Sequence, residues 1–192
     1  MNGPTPSILR LDREALKVLA HPLRSRLLTE LRMHGPATAT TLAHDLGTNT
    51  GATSYHLRKL ASVGLVEETK EGHGRERPWR AATEMHGWTE RDAAGDPDAE
   101  AASDWLRRHY LRTFVDHFEA WLDDQASWPL EWQDAAGSSD VALRLSAADL
   151  AAFNADLETL FQRYRERPPA DPDDARTVQL YLHAFPLEGS PR

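Results

Sequence analysis

The sequence contains no cysteine. That excludes a disulfide scaffold and every metal or redox site built on thiolates. No apolar run approaches the ~20 residues that a membrane-spanning helix requires. No signal-peptide pattern opens the chain, so a cytoplasmic protein with no membrane partner is expected. Catalytic signatures are missing as well: there is no phosphate-cradling glycine loop, no His-Glu-x-x-His and no nucleophile elbow. Two acidic clusters, Asp123-Asp124 and Asp171-Asp173-Asp174, fall in helix-end or loop text, where solvated charge accounts for them. Neither an enzyme nor a cofactor is expected. At 192 residues the chain has room for one domain or two small ones.

A net charge of −8 looks wrong for a chain that meets nucleic acid. Its distribution does not. Residues 1–82 hold 12 Lys+Arg against 8 Asp+Glu, whereas residues 83–192 hold 10 against 22. The cation excess is confined to the first part, and the acidic part should face away from any phosphate backbone.

Within the cationic part, residues 40–64 read as two short helices across a tight turn. Leu42 and Leu46 are four apart, and Leu57 is followed by Leu60 and Ala61. Each helix therefore carries one apolar stripe toward a shared core. Gly47 suits a left-handed helix end, and Asn49 is a good N-cap for the second helix, which Gly64 closes. Thr50, Thr53, Ser54, His56, Arg58 and Lys59 are assigned to the outward face. They are short or hydrogen-bonding at the N-terminal end and cationic farther along. A recognition helix needs that order, with base edges met first and phosphates later. Double-stranded DNA is the partner this pattern predicts.

A charged hairpin follows. Residues 65–70 alternate as a strand, residues 71–76 supply turn glycines, and residues 77–82 can return antiparallel. Arg75 and Arg77 fall at its tip or on its return strand, where a guanidinium can meet phosphate or enter the minor groove. The other reading is a solvated hairpin whose arginines pair with Glu71 and Glu76.

With these pieces in order, the segment from Leu11 to Ala82 resembles the winged helix-turn-helix of ArsR-type bacterial regulators. The resemblance lies in the text from Leu16 to Leu28, in Thr53-Ser54-Tyr55-His56-Leu57-Arg58-Lys59-Leu60 and in Val63-Gly64-Leu65-Val66. It implies a dimeric transcriptional regulator, usually a repressor, whose DNA affinity an effector often changes. The best-known members sense metals through cysteine thiolates, which this chain lacks. Others use an Asp-x-His pair with a later histidine motif. Here His109 and His117 stand eight apart with no Asp-x-His element. About 12 Å of helical rise separates them, so no shared metal ion is expected within one chain.

Around the motif, residues 11–19 read as a short helix, and Pro22 opens another that runs to about His34. Residues 1–7 are expected to fray. Residues 83–97 read as a linker, rich toward its end in Asp, Ala, Gly and Pro. A long helix is expected over 98–124, with Trp105, Tyr110, Phe114, Phe118 and Trp121 among its apolar positions. Its stripe is wider than one small domain would cover. Two readings stand and can coexist: a homodimer interface continuous with the core, and an aromatic site for a small organic effector. Beyond it, 140–145 and 177–185 alternate as strands on either side of a helix opened by Ser146 and Asp149.

The expected fold class is α+β. A mainly helical winged helix-turn-helix domain spans 8–82. The long helix and a small strand-helix-strand unit occupy a dimerisation and effector domain over 98–192. The rival reading is a winged helix used only to bind protein, against which Arg58, Lys59, Arg75 and Arg77 together argue.

Overall fold

The structure is a computed structural model that describes residues 9–69, 77–83 and 85–187. The expected fraying of residues 1–7, the hairpin turn and Arg75 lie outside the described residues. The fold is α+β, mainly helical with short strands. The chain runs β1 (Leu9–Arg10), α1 (Arg13–Leu19), α2 (Pro22–Met33), α3 (Ala39–Asp45) and α4 (Thr50–Ala61). It continues through β2 (Val66–Glu68), β3 (Trp79–Ala81), β4 (His86–Gly87), α5 (Glu90–Ala93) and α6 (Pro97–Asp124). Then come α7 (Leu130–Ala135) and α8 (Ala147–Glu166).

One leucine-rich core holds the first part together. Leu16 and Leu19 of α1, Leu27 of α2, and Leu57 and Leu60 of α4 are fully buried in it. Burying one such side chain is worth about 1.5–3 kcal/mol. Helix starts follow the sequence closely. The Asp12 side chain caps α1, the His21 side chain caps α2 ahead of Pro22, and the Thr38 hydroxyl caps α3. The hairpin pairs β2 with β3 antiparallel, with Glu67 opposite Arg80 and Glu68 opposite Trp79. Trp79 also exchanges both backbone hydrogen bonds with Ala37, at 2.8 and 3.0 Å. The return strand of the hairpin is thereby tied, at Trp79, to the turn between α2 and α3.

The expected linker is structured. β4 pairs in parallel with β1, Leu9 facing His86 and Arg10 facing Gly87. Thr89 and Asp92 form a capping box for α5, and Asp96 caps α6 by accepting from the Asp98 and Ala99 amides. Pro97 then occupies the first turn of α6. The Asp, Gly and Pro residues that suggested a linker are the caps and turns of two helices. Ala93, Ala99 and Leu106 are fully buried in the leucine core. Lys17 of α1 also meets Asp96 at 3.1 Å. The first unit thus reaches Leu106 rather than stopping at residue 82.

A polar relay fixes α6 against α2. An Arg32 guanidinium NH donates to His86 Nδ1 at 2.6 Å, because arginine has no acceptor. His86 Nε2 is then the protonated nitrogen and donates to the Tyr110 phenol oxygen at 2.8 Å. Trp88, whose ring is stacked on His86, donates from Nε1 to Ser103 Oγ at 2.7 Å. Burial, with the Arg32 charge beside it, lowers the His86 imidazole to about 3.

Past Leu106 the core ends. Among the described residues beyond it, none is buried, and Leu111, Leu130, Val141, Leu143, Val178, Leu180 and Leu182 are exposed. The capping box of Ser146 and Asp149 and the helix it opens form as the sequence indicates. The flanking strands do not. Residues 140–145 and 177–185 join no sheet among the described residues. An alternating segment becomes a strand only when another backbone pairs with it, and the described residues offer them none.

His86 gives an acid-sensitive link to stability. Its pKa lies below the unfolded value, so the unfolded chain binds more protons between pH 6.5 and about 3. Its contribution is fully present above pH 6.5 and is lost as pH falls through that window, by at most about 1.4 kcal/mol per unit. Urea unfolding between pH 4 and 7 should show this slope, and His86→Gln should reduce it. An equal slope in the variant would mean that His86 is not held neutral.

Candidate nucleic-acid interface

α4 starts where its sequence says it should. Gly47 takes φ 63° at the end of α3, and the Asn49 side chain accepts from the Ala52 amide at 2.8 Å. Gly64, at φ 72°, turns the chain from α4 into β2. Leu57 and Leu60, both fully buried, fix which face of α4 looks inward. The outward face carries Thr50, Gly51, Tyr55, Arg58 and Lys59, all exposed, with Ser54 half-buried beside them.

Two of the expected outward residues are placed differently. Thr53 lies four before Leu57, on the same side of the helix, and is fully buried. Its hydroxyl has no hydrogen-bond partner. Polarity suggested an outward position, but the spacing from Leu57 decides an inward one. His56 is half-buried and turns toward the head of α2, its ring centroid 4.5 Å from that of His21. Conversely, Tyr55 is 54% exposed and projects from the middle of the outward face, with the Lys59 ammonium 6.0 Å from its ring. The same spacing argument would have found it, since Tyr55 sits opposite the Leu57–Leu60 stripe.

The hairpin carries exposed cations of its own. Arg77 is exposed, 4.0 Å from Glu68, and Arg80, which the sequence reading did not single out, meets Glu67 at 2.6 Å. Exposed ion pairs of this kind are worth less than about 1 kcal/mol. A phosphate competing for either guanidinium therefore displaces its carboxylate at little cost.

The aromatic positions of α6 do not converge on one place. Trp105 and Tyr110 pack against the leucine core. Phe114 lies 5.7 Å from Phe118 and 5.1 Å from Tyr181, and the Tyr181 hydroxyl meets His117 Nδ1 at 2.8 Å. Trp121 packs instead on Trp128, 5.7 Å away. His109 stacks on Trp105 at 4.8 Å. Among the described residues no three or more His, Asp or Glu side chains are grouped to hold a metal ion.

A tight helix pair, an exposed polar and cationic second helix and a β-hairpin pinned beside it define a winged helix-turn-helix. The helix-turn-helix domain family matches residues 19–69, well under half of the chain. No curated protein matches. Among solved structures, the chain is similar to the homodimeric winged helix-turn-helix DNA-binding domain Mb0332 of Mycobacterium bovis, described as a possible ArsR-family transcriptional regulator. The identity is 25%, over 54% of this chain and 76% of that one, with a TM-score of 0.34. It is also similar to reduced HlyU from Vibrio cholerae, with 23% identity, 50% and 85% of the two chains covered, and a TM-score of 0.33. ZitR of Lactococcus lactis in complex with DNA shares 19% identity over 83% of this chain and 82% of that one, at a TM-score of 0.27. At these TM-scores none of the three likenesses assigns a role to a residue here.

The unpartnered Thr53 hydroxyl predicts a stability change. A buried polar group without a partner costs about 1–3 kcal/mol. Thr53→Val keeps the shape and removes that group, so its thermal midpoint should equal or exceed that of the parent protein. A loss of more than about 1 kcal/mol in the variant would show that the hydroxyl is satisfied.

Proposed function

We propose that this chain is a sequence-specific regulator that binds double-stranded DNA, with α4 in the major groove and the hairpin against the backbone. The observation that carries the reading is the placement of Arg58 and Lys59 on the exposed face of α4, with Arg77 and Arg80 exposed on the hairpin that follows it. These cations lie in the one part of an acidic chain that has cations in excess. Thr50, Ser54 and Tyr55 lie nearer the N-terminal end or the middle of α4, where side chains reach base edges.

The protein acts as a twofold dimer in this reading, and residues beyond Leu106 supply the interface. The support is the row of exposed apolar side chains from Leu111 onward and the two alternating segments that pair with no strand among the described residues. Patches of this extent rarely face water in a finished assembly. The group formed by Phe114, Phe118, Tyr181 and His183 is where a small organic effector would bind and release the DNA, which makes the protein a repressor. Cytoplasmic location suits that role, and no helix among the described residues is long and apolar enough to cross a membrane.

Selection of bound sequences from a random duplex library at two salt concentrations tests the reading. The expected result is an enriched inverted repeat with half-sites about one helical turn apart, and an affinity that falls steeply with salt. Arg77→Ala should weaken every sequence alike, whereas Tyr55→Ala or Ser54→Ala should reorder their ranking by about 1–3 kcal/mol per lost contact. Binding with no enriched sequence and no salt slope would leave a module that binds only protein.

A further inference from the structure

The head of α2 and the flank of α4 bring three nitrogen-bearing side chains together. His21 precedes α2, Arg24 lies in its first turn, and His56 comes from the middle of α4. The two imidazoles stand 4.5 Å apart, centroid to centroid. Arg24 Nε and His56 Nδ1 are both buried atoms with no hydrogen-bond partner. His21 Nδ1 is already engaged, accepting from the Leu23 amide at 3.2 Å to cap α2.

No carboxylate answers this cluster. Among the described residues, none of the three side chains is in an ion pair with Asp or Glu. Carboxylates on the elements packed against α4 are occupied. Glu14 of α1 is near Lys17, Glu30 of α2 meets His34, Asp45 of α3 meets His44, and Glu67 and Glu68 of β2 meet Arg80 and Arg77. The remaining neighbour is Tyr55, next to His56, with ring centroids 5.2 Å apart. The cluster has N–H donors and a positive charge but no anionic group to meet them. Burial lowers His56, helped by His21 and Arg24 beside it. Burial also lowers His21, with Arg24 adding to the effect. An anion placed there would satisfy the orphan donors and reverse both effects.

We propose that His21, Arg24 and His56 form a phosphate site at the edge of α4, which takes one backbone phosphodiester of the bound duplex and a proton with it. The inference rests on the DNA-binding reading above and adds to it a contact outside the outward face and the hairpin. Arg24 supplies a fixed cation, since its guanidinium does not deprotonate. The imidazoles supply a conditional one. Neutral in the free protein at pH 7.5, one of them is protonated when a phosphate covers it. Duplex affinity then rises as pH falls and is lost as pH rises through the value that the imidazole has in the complex. The change is up to about tenfold per pH unit for a single proton taken up.

The test uses the full chain and two probes, a random-sequence duplex and inorganic phosphate. NMR titration of the His21 and His56 rings should give values below 6.5 in the free protein and raised values with the duplex bound. Affinity measured between pH 5.5 and 7.5 at fixed salt should fall with pH in the parent and stay flat in His56→Gln. His21→Asn, which keeps a capping side chain, separates the pair from the cap. Arg24→Gln should weaken all sequences alike and lower the salt slope by about one, with its fold checked by circular dichroism, while Arg24→Lys should recover part of the loss. Ring values that the duplex leaves unchanged overturn the proposal, as does full affinity in Arg24→Gln. A response to inorganic phosphate but not to duplex also overturns it. A parent protein that binds no duplex at any pH removes the DNA reading itself, a result distinct from duplex binding that ignores these three residues.

Discussion

Leu57 and Leu60 set the rotation of α4 in its seat, and most of what the surface presents follows from that rotation. Both side chains are fully buried in a core shared with α1, α2 and β2. Turning the helix by one residue, about 100°, would expose one of them and lose about 1.5–3 kcal/mol of burial. The same lock draws Thr53 inward, points Tyr55 outward and turns His56 toward α2. It therefore decides which side chains a duplex could touch without any of those side chains contributing to the decision. The wing depends on the same core through Val66 and Trp79, and α6 depends on it through Leu106.

Local signals in the sequence translated well wherever the physics was local. Asn49 and Ser146 cap the helices they precede, and Gly47 and Gly64 take the left-handed turns their positions require. Each of these outcomes needs only a side chain and its nearest amides. Thr53 is polar by type yet lies four before Leu57, and that spacing carries it inward. Residues 83–97 read as a linker because caps and linkers use the same alphabet. Burial of Ala93 and Ala99, which separates the two, is invisible to composition. The segments at 140–145 and 177–185 carry a true strand pattern, yet a strand is a property of two backbones and the sequence shows only one. The meeting of His21 with His56 depends on how α2 crosses α4, which no periodicity encodes.

Charge and apolar surface divide the molecule along different lines. Cations are in excess only over residues 1–82, whereas the leucine core runs on through the acidic stretch 83–106 to Leu106. The acidic part cannot approach a polyanion favourably. It does carry the exposed leucines and valines that an interface would cover. The two halves thus suit two different kinds of partner, one chosen by phosphate and one by apolar area.

α6 joins these halves as a single uninterrupted rod. Its first turns are anchored in the core as far as Tyr110, while the remainder, to Asp124, holds no buried residue. Fourteen residues of helix extend about 21 Å beyond that anchorage. Pivoting the rod by about 10° at its root would carry the free end through about 4 Å. The converse also holds: a displacement of that size at the tip arrives at the root reduced to the scale of a side-chain shift. The relay of Arg32, His86 and Tyr110 sits at this root, so a tilt of the helix would first strain its two hydrogen bonds.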